Sequence, residues 1–249
     1  MIKLVHVSKS FRDKQVLRDV NLTIEDGETL AIIGGSGSGK STLLKLMIGL
    51  IRPTSGEIWV NDREISQLPE AELDKVRLGM GMVFQYSALF DSMTVGDNVA
   101  FGLREHTKYP EEKIQQIVRE KLALVGMDGV ESMMPSELSG GMKKRVSLAR
   151  AIAFGPEIIF YDEPNSGLDP IMSRKIDELI THTQQALKVT SVVVTHDMVS
   201  ACRIADRIAM LYEGDLLAVA TVPEFRKLKD PRIQAFLQSA YVAEEEARE

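Results

Sequence analysis

Hydrophobic and polar residues alternate in the first part of the chain, as they do in half-buried β-strands. Val20, Leu22 and Ile24 alternate with polar residues, and the turn signal Asp26-Gly27 follows them. Short runs of mostly apolar residues recur later, at 30–33, 158–161 and 191–195. Runs of this length suit parallel strands that are covered on both faces.

The middle of the chain has a helical pattern. Pro110 precedes Glu111 and Glu112, and acidic residues are typical of the first turn of a helix. The apolar positions that follow share one helix face, and they are Ile114, Ile117, Val118, Leu122 and Val125. After the last apolar run, residues 210–219 predict a hairpin with its turn at Glu213-Gly214-Asp215.

The order of these elements predicts the fold class. β-rich segments come first, a helical insert lies at roughly 86–155, and βα units flank it. Thr221 and Glu224 have the spacing of a capping box, which predicts a closing helix. We therefore predict an α/β fold with a mostly parallel core sheet, an antiparallel β lobe and an inserted helical lobe. The predicted domain spans 1–239, and the charged tail 240–249 is expected to be frayed.

The first chemical motif is a glycine-rich loop. Gly34 to Ser41 reads GGSGSGKS, which matches G-x-x-x-x-G-K-[ST], between the run 30–33 and a predicted helix at 42–49. Glycines let backbone N–H groups surround phosphate oxygens, and the helix N-terminus adds a positive dipole end. Lys40 is expected to reach the β- and γ-phosphates, and Ser41 to bind Mg²⁺. The predicted ATP-binding residues are Gly34, Gly35, Ser36, Gly37, Ser38, Gly39, Lys40, Ser41 and Thr42.

A second motif is an apolar strand that ends in two acids. Ile158 to Glu163 reads IIFYDE. Because a buried strand rarely ends in two carboxylates without a partner for their charge, the pair indicates a site. With the phosphate loop upstream, Asp162 is expected to hold Mg²⁺ through water, and Glu163 to orient or deprotonate the attacking water. Without that loop, a solvated strand end would explain the acids as well.

Two further motifs are weak by themselves. His196 follows the run 191–195, and a His at the carboxyl end of a strand lies on the ligand edge of an open α/β sheet. It is placed to bond the γ-phosphate, although a lone His is as often structural. Ser139, Gly140 and Gly141 begin a basic helix, which makes a second anion site or an ordinary Ser N-cap. Since the first loop already holds one nucleotide, the second suggests a site that closes over the nucleotide of another copy.

Composition narrows the class of function. The 249 residues carry a net charge of −6, and this acidic balance argues weakly against a nucleic-acid surface. No apolar run reaches the roughly 20 residues needed to span a bilayer, and the start has no signal-peptide pattern. One cysteine, Cys202, fits a reducing compartment. We expect a cytoplasmic protein that docks on a membrane-spanning partner.

Together, these motifs resemble the nucleotide-binding subunits of ABC transporters, over nearly the whole chain and in the family's order. The resemblance implies a P-loop NTPase with a RecA-like core. It identifies 34–41 as Walker A, Gln85 as the Q-loop glutamine, 138–142 as the signature and 158–163 as Walker B. It also assigns a D-loop at 166–169 that includes Asp169, a switch histidine at His196, and an adenine-stacking aromatic at Phe11.

The resemblance further implies a catalytic role for Glu163, His196 and Lys40, and a Mg²⁺ site of Ser41, Gln85 and Asp162. Two copies would form a head-to-tail homodimer, in which ATP lies between Walker A of one and the signature of the other. An apolar set near the Q-loop would receive a permease, although part of it is expected to be core: Phe84, Ala88, Leu89, Phe90, Met93 and Val95.

Two positions depart from the family pattern. Met142 ends the signature where glutamine is usual, and Asn165 follows Pro164 where threonine or serine is common. The Ser139 and glycine contacts survive the first change, so an active site is still expected.

Two segments narrow the resemblance. Residues 88–106 and 230–239 are similar to the ATPases that power lipid transport with MCE-domain proteins, as in the Mla phospholipid systems of Gram-negative bacteria. That similarity implies an integral membrane permease, an MCE-domain substrate-binding protein and a small STAS-domain regulator as partners. It also implies a place on the cytoplasmic face of the inner membrane and a role in outer-membrane lipid asymmetry.

Three alternatives stay open. An importer ATPase for an amino acid or other small solute would share every ATP-binding motif. A soluble ABC-type ATPase that acts on DNA or ribosomes usually carries coiled coils or two cassettes, and this chain has neither. A P-loop kinase would pass phosphate to a small molecule, and Glu163 directly after Asp162 argues against it.

Overall fold

The computed structural model describes the backbone of residues 1–246 and the side chains of residues 1–238. Its strands are β1 Ile2–Phe11, β2 Lys14–Ile24, β3 Thr29–Ile33, β4 Ser55–Val60, β5 Arg63–Glu64, β6 Met80–Val83, β7 Ile158–Asp162, β8 Thr190–Thr195, β9 Arg207–Tyr212 and β10 Asp215–Thr221. Its helices are α1 Lys40–Met47, α2 Glu70–Arg77, α3 Val95–His106, α4 Glu111–Leu124, α5 Gly140–Ile152, α6 Pro170–Leu187, α7 Met198–Ile204, α8 Val222–Phe225 and α9 Pro231–Glu246. They form two compact units, Met1–Arg77 with Thr190–Glu249, and Leu78–Val189.

The first unit contains an antiparallel sheet in the order β2-β1-β4-β5. One face is apolar because alternate residues of β1 and β2 point into the core, among them Ile2, Leu4 and Val20. This sheet is the predicted antiparallel lobe. In this sheet the long strand β1 ends at Phe11, which pairs with Lys14 across a tight turn.

The same unit contains a second set of strands in the order β10-β9-β3-β8. β3 runs parallel to β8 and to β9, while β10 returns antiparallel along β9 as the predicted hairpin. Every residue of β3 and β8 is buried. The continuously apolar runs therefore correspond to strands covered on both faces, as the pattern predicted.

Helices α7, α8 and α9 cover one face of these strands. Their apolar core combines β3 and β9 side chains with residues of the three helices: Ala31, Ile33, Met198, Ala201, Ile208, Met210, Phe225, Ile233 and Leu237. The helix α8 begins with the predicted capping box, in which Thr221 Oγ1 and the Thr221 backbone N–H both donate to Glu224. Because Ile233 and Leu237 are buried, the first turns of α9 belong to the core of this unit.

The second unit contains the parallel pair β6 and β7, and the helices α3, α4, α5 and α6. α3, α4 and α5 pack against one another as the predicted helical lobe. α4 follows Pro110 as expected, and Ile114, Val118 and Leu122 are buried on one face. Met80 lies beside Ile158 and Val83 beside Tyr161, so that β6 and β7 reach their carboxyl ends together.

The predicted limits of α1 were wrong by two residues at each end. The helix begins at Lys40, not Thr42, because Gly39 adopts a left-handed φ of 110° and forms the helix N-cap. It ends at Met47, before Gly49, whose φ is 73°. The earlier start brings Lys40 and Ser41 into the first helical turn.

The predicted tail 240–249 lies outside the residues whose side chains are described. The backbone of α9 continues through this boundary to Glu246. In the described part of the chain, no helix is both long enough and apolar enough to cross a membrane.

The burial of Ile233 gives a test of the role of α9. Ile233→Ala should lower the free energy of unfolding by about 2–5 kcal/mol, because it removes buried apolar volume from the core under α7 and α8. Chemical denaturation measures the loss. Gln238→Ala, an exposed position on the same helix, is the matched control and should change stability by no more than about 0.5 kcal/mol. Equal stability of both variants would contradict the assignment of α9 to the core.

Candidate functional site

The loop after β3 makes a turn that only glycine can occupy. Gly34 has φ 154°, and a Cβ on it would lie 2.3 Å from the Leu211 carbonyl oxygen and 2.7 Å from Ser38 Oγ. At Gly39, with φ 110°, a Cβ would lie 2.7 Å from Leu17 Cδ2. These close approaches fix the path of the loop over β9 and β2, and they lead it into the N-terminus of α1.

Lys40 lies back across this loop. Its Nζ donates to the carbonyl oxygens of Gly34, at 2.7 Å, and Gly35, at 3.1 Å. Ser38 Oγ is buried with no hydrogen-bond partner among the described residues. Gly35, Ser36, Gly37 and Ser41 are exposed. An ammonium group, an orphaned hydroxyl and the N–H groups of a helix N-terminus make a donor set that fits the phosphates of a nucleotide.

His196 is brought to the same edge of the strands. β3 and β8 are parallel neighbours, and Ile33 is paired with Thr195. The phosphate loop and His196 therefore begin at the same level, each directly after its strand. His196 is exposed, and the next residue, Asp197, caps α7 by accepting from the N–H groups of Val199 and Ser200.

Phe11 lies at the end of β1, and its ring is 48% exposed. Lys9 Nζ lies 4.9 Å from the centre of the ring. An exposed ring with a cation beside it has a face on which a purine could stack. Its assignment to adenine binding remains a prediction.

The second unit brings together Gln85, Walker B and the D-loop. Gln85 Nε2 donates to Ser166 Oγ at 3.1 Å. Glu163 directly follows the end of β7 and has a left-handed φ of 47°, which is uncommon for a residue with a side chain. Asp162 and Glu163 are both half-buried.

A residue that sequence reasoning missed, Lys144 on α5, lies close to these acids. Its side chain is only 6% exposed, and its Nζ donates to the backbone carbonyl of Gln85. Burial lowers the pKa of Lys144, while the negative charges of Asp162 and Glu163 oppose that shift. In the sequence, the only sign of this buried cation is the basic run 143–145. Such a run by itself is typical of a solvated helix face.

A second cation of α5 was missed in the same way. The guanidinium of Arg150 donates to the carbonyl oxygens of Ala88, at 2.7 Å, and Ser87, at 2.9 Å. Both of these residues have positive φ, 62° for Ser87 and 48° for Ala88. α5 therefore holds the Q-loop at two places. Arg150 binds the tight turn at Ser87 and Ala88, and Lys144 binds Gln85 before that turn.

The predicted signature lies at the start of this same helix. Ser139 caps α5, and its Oγ accepts from the Met142 N–H at 3.3 Å. Because this cap uses the backbone of residue 142, methionine in place of glutamine leaves it intact. Ser139 and Gly140 are exposed, whereas Gly141 is buried and a Cβ on it would lie 2.4 Å from Met172 Cε.

Asp169 ends the D-loop as the N-cap of α6. Its Oδ1 accepts from the N–H groups of Ile171 and Met172, at 3.0 and 2.9 Å. The role predicted for it in nucleotide binding therefore has to be shared with this structural one.

The predicted residues thus form two groups. The first unit brings the phosphate loop and His196 to one strand edge, with Phe11 on the antiparallel sheet. The second brings Gln85, Asp162, Glu163 and the D-loop together, and it places Ser139, Gly140 and Gly141 on the helix that carries Lys144. The roles assigned to individual residues remain predictions.

Comparison with known proteins finds similar chains. A family model described as ABC transporter matches residues 17–166. The chain is 42% identical over 238 residues to the intermembrane phospholipid transport system ATP-binding protein MlaF of Haemophilus influenzae, over 96% of this chain and 90% of that protein. It is also 42% identical over 236 residues to a probable ribonucleotide transport ATP-binding protein, mkl, of Mycobacterium bovis, over 95% of this chain and 66% of that one.

A solved structure is similar as well. It is a dimeric ATP-binding cassette in a post-hydrolysis state, bound to ADP and Pi. It matches this chain with a TM-score of 0.82 and 33% identity, over 89% of this chain and 99% of that one.

The position of Glu163 leads to a test of its role. Glu163→Gln should leave ATP affinity within about twofold and lower kcat by about a hundredfold or more, because the amide cannot accept the proton of the attacking water. Phosphate release and equilibrium nucleotide binding measure the two quantities. Glu157→Gln, an exposed acid at the opposite end of β7, is the matched control. A normal rate in Glu163→Gln would show that another group is the base.

Proposed function

We propose that this chain, which belongs to the ABC transporter family, is the ATP-hydrolysing subunit of a transporter that moves phospholipid between two membranes. The observation that carries the choice of cargo is its 42% identity to a phospholipid transport ATPase over nearly the full length of both proteins. Hydrolysis of ATP follows from the family, and the cargo is the part of the proposal that needs its own test.

In the proposed reaction, the phosphate loop binds the nucleotide and Glu163 acts on water. Lys40, whose amine already lies over the loop within reach of two carbonyl oxygens, would turn to the β- and γ-phosphates. Glu163 would accept the proton of the water that attacks the γ-phosphate. His196, on the same strand edge as the loop, would donate a hydrogen bond to the γ-phosphate and hold its orientation.

Mg²⁺ would neutralise phosphate charge in this reaction. Ser41, Gln85 and Asp162 are the residues proposed to hold it. A hydroxyl, an amide and a carboxylate supply the hard oxygen ligands that Mg²⁺ prefers, and an incomplete protein shell suits an ion that keeps several waters. Ser41 is exposed in the first turn of α1, and Asp162 is half-buried at the end of β7.

Two copies of the chain would share each nucleotide. The signature residues Ser139 and Gly140 are exposed at the N-terminus of the 13-residue helix α5. That helix end offers free N–H groups to an anion, and it supports a head-to-tail dimer in which the signature covers the γ-phosphate bound by the other copy. The similar cassette is dimeric, which supports a dimer of this chain.

The surface around the Q-loop is proposed to receive the permease. Phe84, Tyr86 and Phe90 are exposed there although they are large and aromatic. Neighbouring aromatic residues at the surface are typical of a docking site. Val95, which sequence reasoning included in the set, is buried and contributes to the core of the second unit, so the docking face is smaller than the motif implied.

We extend the proposal to the rest of the complex on the resemblance to the Mla systems. An MCE-domain protein would present the lipid and a small STAS-domain protein would regulate the ATPase. The subunit would then lie on the cytoplasmic face of the inner membrane, and transport would maintain the lipid asymmetry of the outer membrane.

A small solute is the second candidate for the cargo. The mycobacterial relative, whose name refers to ribonucleotide transport, has the same 42% identity to this chain. Identity in an ATPase mainly reflects nucleotide chemistry, which is the same whatever cargo the permease binds. The two candidates therefore differ in their partners and not in the ATP site.

Isolation of the native complex tests the proposal. The protein should be extracted from its own membranes with a mild detergent, and its associated proteins and lipids identified by mass spectrometry. Recovery of a permease, an MCE-domain protein and enriched phospholipid is the expected result. A permease with a solute-binding protein would overturn the cargo alone, and recovery with ribosomes or DNA would overturn the transporter function.

The docking surface can be tested separately. Tyr86→Asp should reduce recovery of the permease at least about tenfold, because it places a charge where an exposed aromatic ring would be buried. Affinity capture from detergent extracts measures the loss. Tyr109→Asp, at an exposed tyrosine in the same unit that lies outside the Q-loop, is the control. Equal recovery with both variants would place the docking surface elsewhere.

A further inference from the structure

Asn165 forms a buried contact with the middle of α6. Its Nδ2 donates to Asp177 Oδ1 at 2.7 Å. Asn165 is 8% exposed and Asp177 is fully buried. A carboxylate removed from water needs donors, and a bond to a charged acceptor is stronger than one between neutral groups. This contact therefore connects a loop to a helix in a place where neither group can be satisfied by bulk solvent.

The loop in question begins at Glu163. Its left-handed φ of 47° is unfavourable for a residue with a side chain, so the neighbouring structure has to hold it. Pro164 and Asn165, the next two residues, are buried. Two turns follow, in which the Ser166 N–H donates to the Glu163 carbonyl and the Leu168 N–H to that of Asn165, each at 3.1 Å.

The far end of the loop is attached to the same helix. Asp169 caps the N-terminus of α6. Asp177 lies eight residues further along, which is about 12 Å at 1.5 Å per residue. Residues 163–169 are thus held to α6 at two widely separated points, the cap and the Asn165–Asp177 bond. Two attachments to α6 constrain the orientation of the loop more than the cap alone would, and the bond from Gln85 to Ser166 holds its middle.

We propose that Asn165 and Asp177 are positioning residues for hydrolysis, which hold the left-handed turn at Glu163 and the shape of the loop that follows it. The inference depends on the catalytic role proposed for Glu163. Asn165 acts through the backbone that it shares with Glu163, two residues before it, and does not touch the nucleotide. The bond matters to the rate because a base displaced by about an ångström loses much of its effect.

The choice of asparagine at this position follows from its reach. The Asn165 amide nitrogen is one bond further from the backbone than the hydroxyl of a threonine would be. Threonine would leave the Asp177 carboxylate beyond hydrogen-bond distance unless the loop moved. An asparagine paired with a buried aspartate can thus replace the usual residue in this chain.

A double-mutant cycle tests the proposal. Asn165→Thr and Asp177→Leu should each lower kcat about tenfold and leave the KM for ATP within about twofold. The double variant should be no slower than either single one, since the same bond is lost once. Asp177→Asn keeps a carbonyl acceptor and should retain a rate near that of the wild type. The assay uses the full chain in its membrane complex, below the melting temperature of every variant.

A structural role alone would give a different result. Leu179→Ala, at a buried position on the same helix, is the control for lost stability, and it should lower the melting temperature with an unchanged kcat. Amide hydrogen exchange should quicken at Ser166 and Leu168 in Asn165→Thr and not in Leu179→Ala. Multiplicative losses in the double variant, recovery of kcat in that variant, or unchanged kcat in both single variants would each overturn the positioning role.

These experiments distinguish failure of the role proposed for Glu163 from failure of the positioning role. If Glu163→Gln retained its rate, the proposed base would be wrong whatever the cycle gave. If Glu163→Gln lost activity while the cycle showed no coupling, only the positioning role would be wrong.

Discussion

Parallel pairing between β3 and β8 is the constraint on which the nucleotide end of the first unit depends. Ile33 lies beside Thr195, and both strands are buried along their whole length. Because parallel neighbours end at one edge, the phosphate loop and His196 start from the same level. Beyond that edge, the backbone N–H groups of the phosphate loop take no part in strand pairing. Together with the N-terminus of α1, they can bind an anion.

A second constraint organises the Leu78–Val189 unit. The helix α5 starts at the signature serine, and its Lys144 and Arg150 bond three carbonyl groups of the Q-loop. Lys144 also lies in the field of Asp162 and Glu163. The signature therefore begins this helix, its two cations bond the backbone beside the proposed docking face, and the proposed catalytic acids act electrostatically on one of those cations.

Three of the non-glycine residues with left-handed backbone lie where these contacts occur. Ser87, Ala88 and Glu163 all have positive φ without being glycine. Each such residue costs on the order of 1 kcal/mol or more and persists only when its surroundings fix it. Arg150 fixes the first two through their carbonyl groups, and the loop that Asn165 ties to Asp177 contains the third. These hydrogen bonds offset the cost and hold the backbone beside the proposed functional groups.

The sequence by itself determined the parts of the site that are continuous in the chain. Consecutive residues form the phosphate loop, so a match over eight residues was enough to locate it. The acids at the end of β7 and the cap at Ser139 also lie in short continuous stretches, and the sequence located them in the same way. The hairpin at 207–221 and the apolar face of α4 were also predictable, because period and turn chemistry are local.

Only the tertiary structure decided the contacts between distant residues. The sequence pattern favoured a solvated Lys144, but its side chain is buried and binds Gln85, 59 residues away. The sequence left open which members of the apolar set near the Q-loop are core, and the structure buries Val95. In the sequence, Asn165 was recognisable only as a departure from the family pattern. Nothing in the sequence of α6 indicated that Asp177 is its partner. Such contacts depend on how helices pack, and packing is the sum of many weak, non-local interactions that no short spacing encodes.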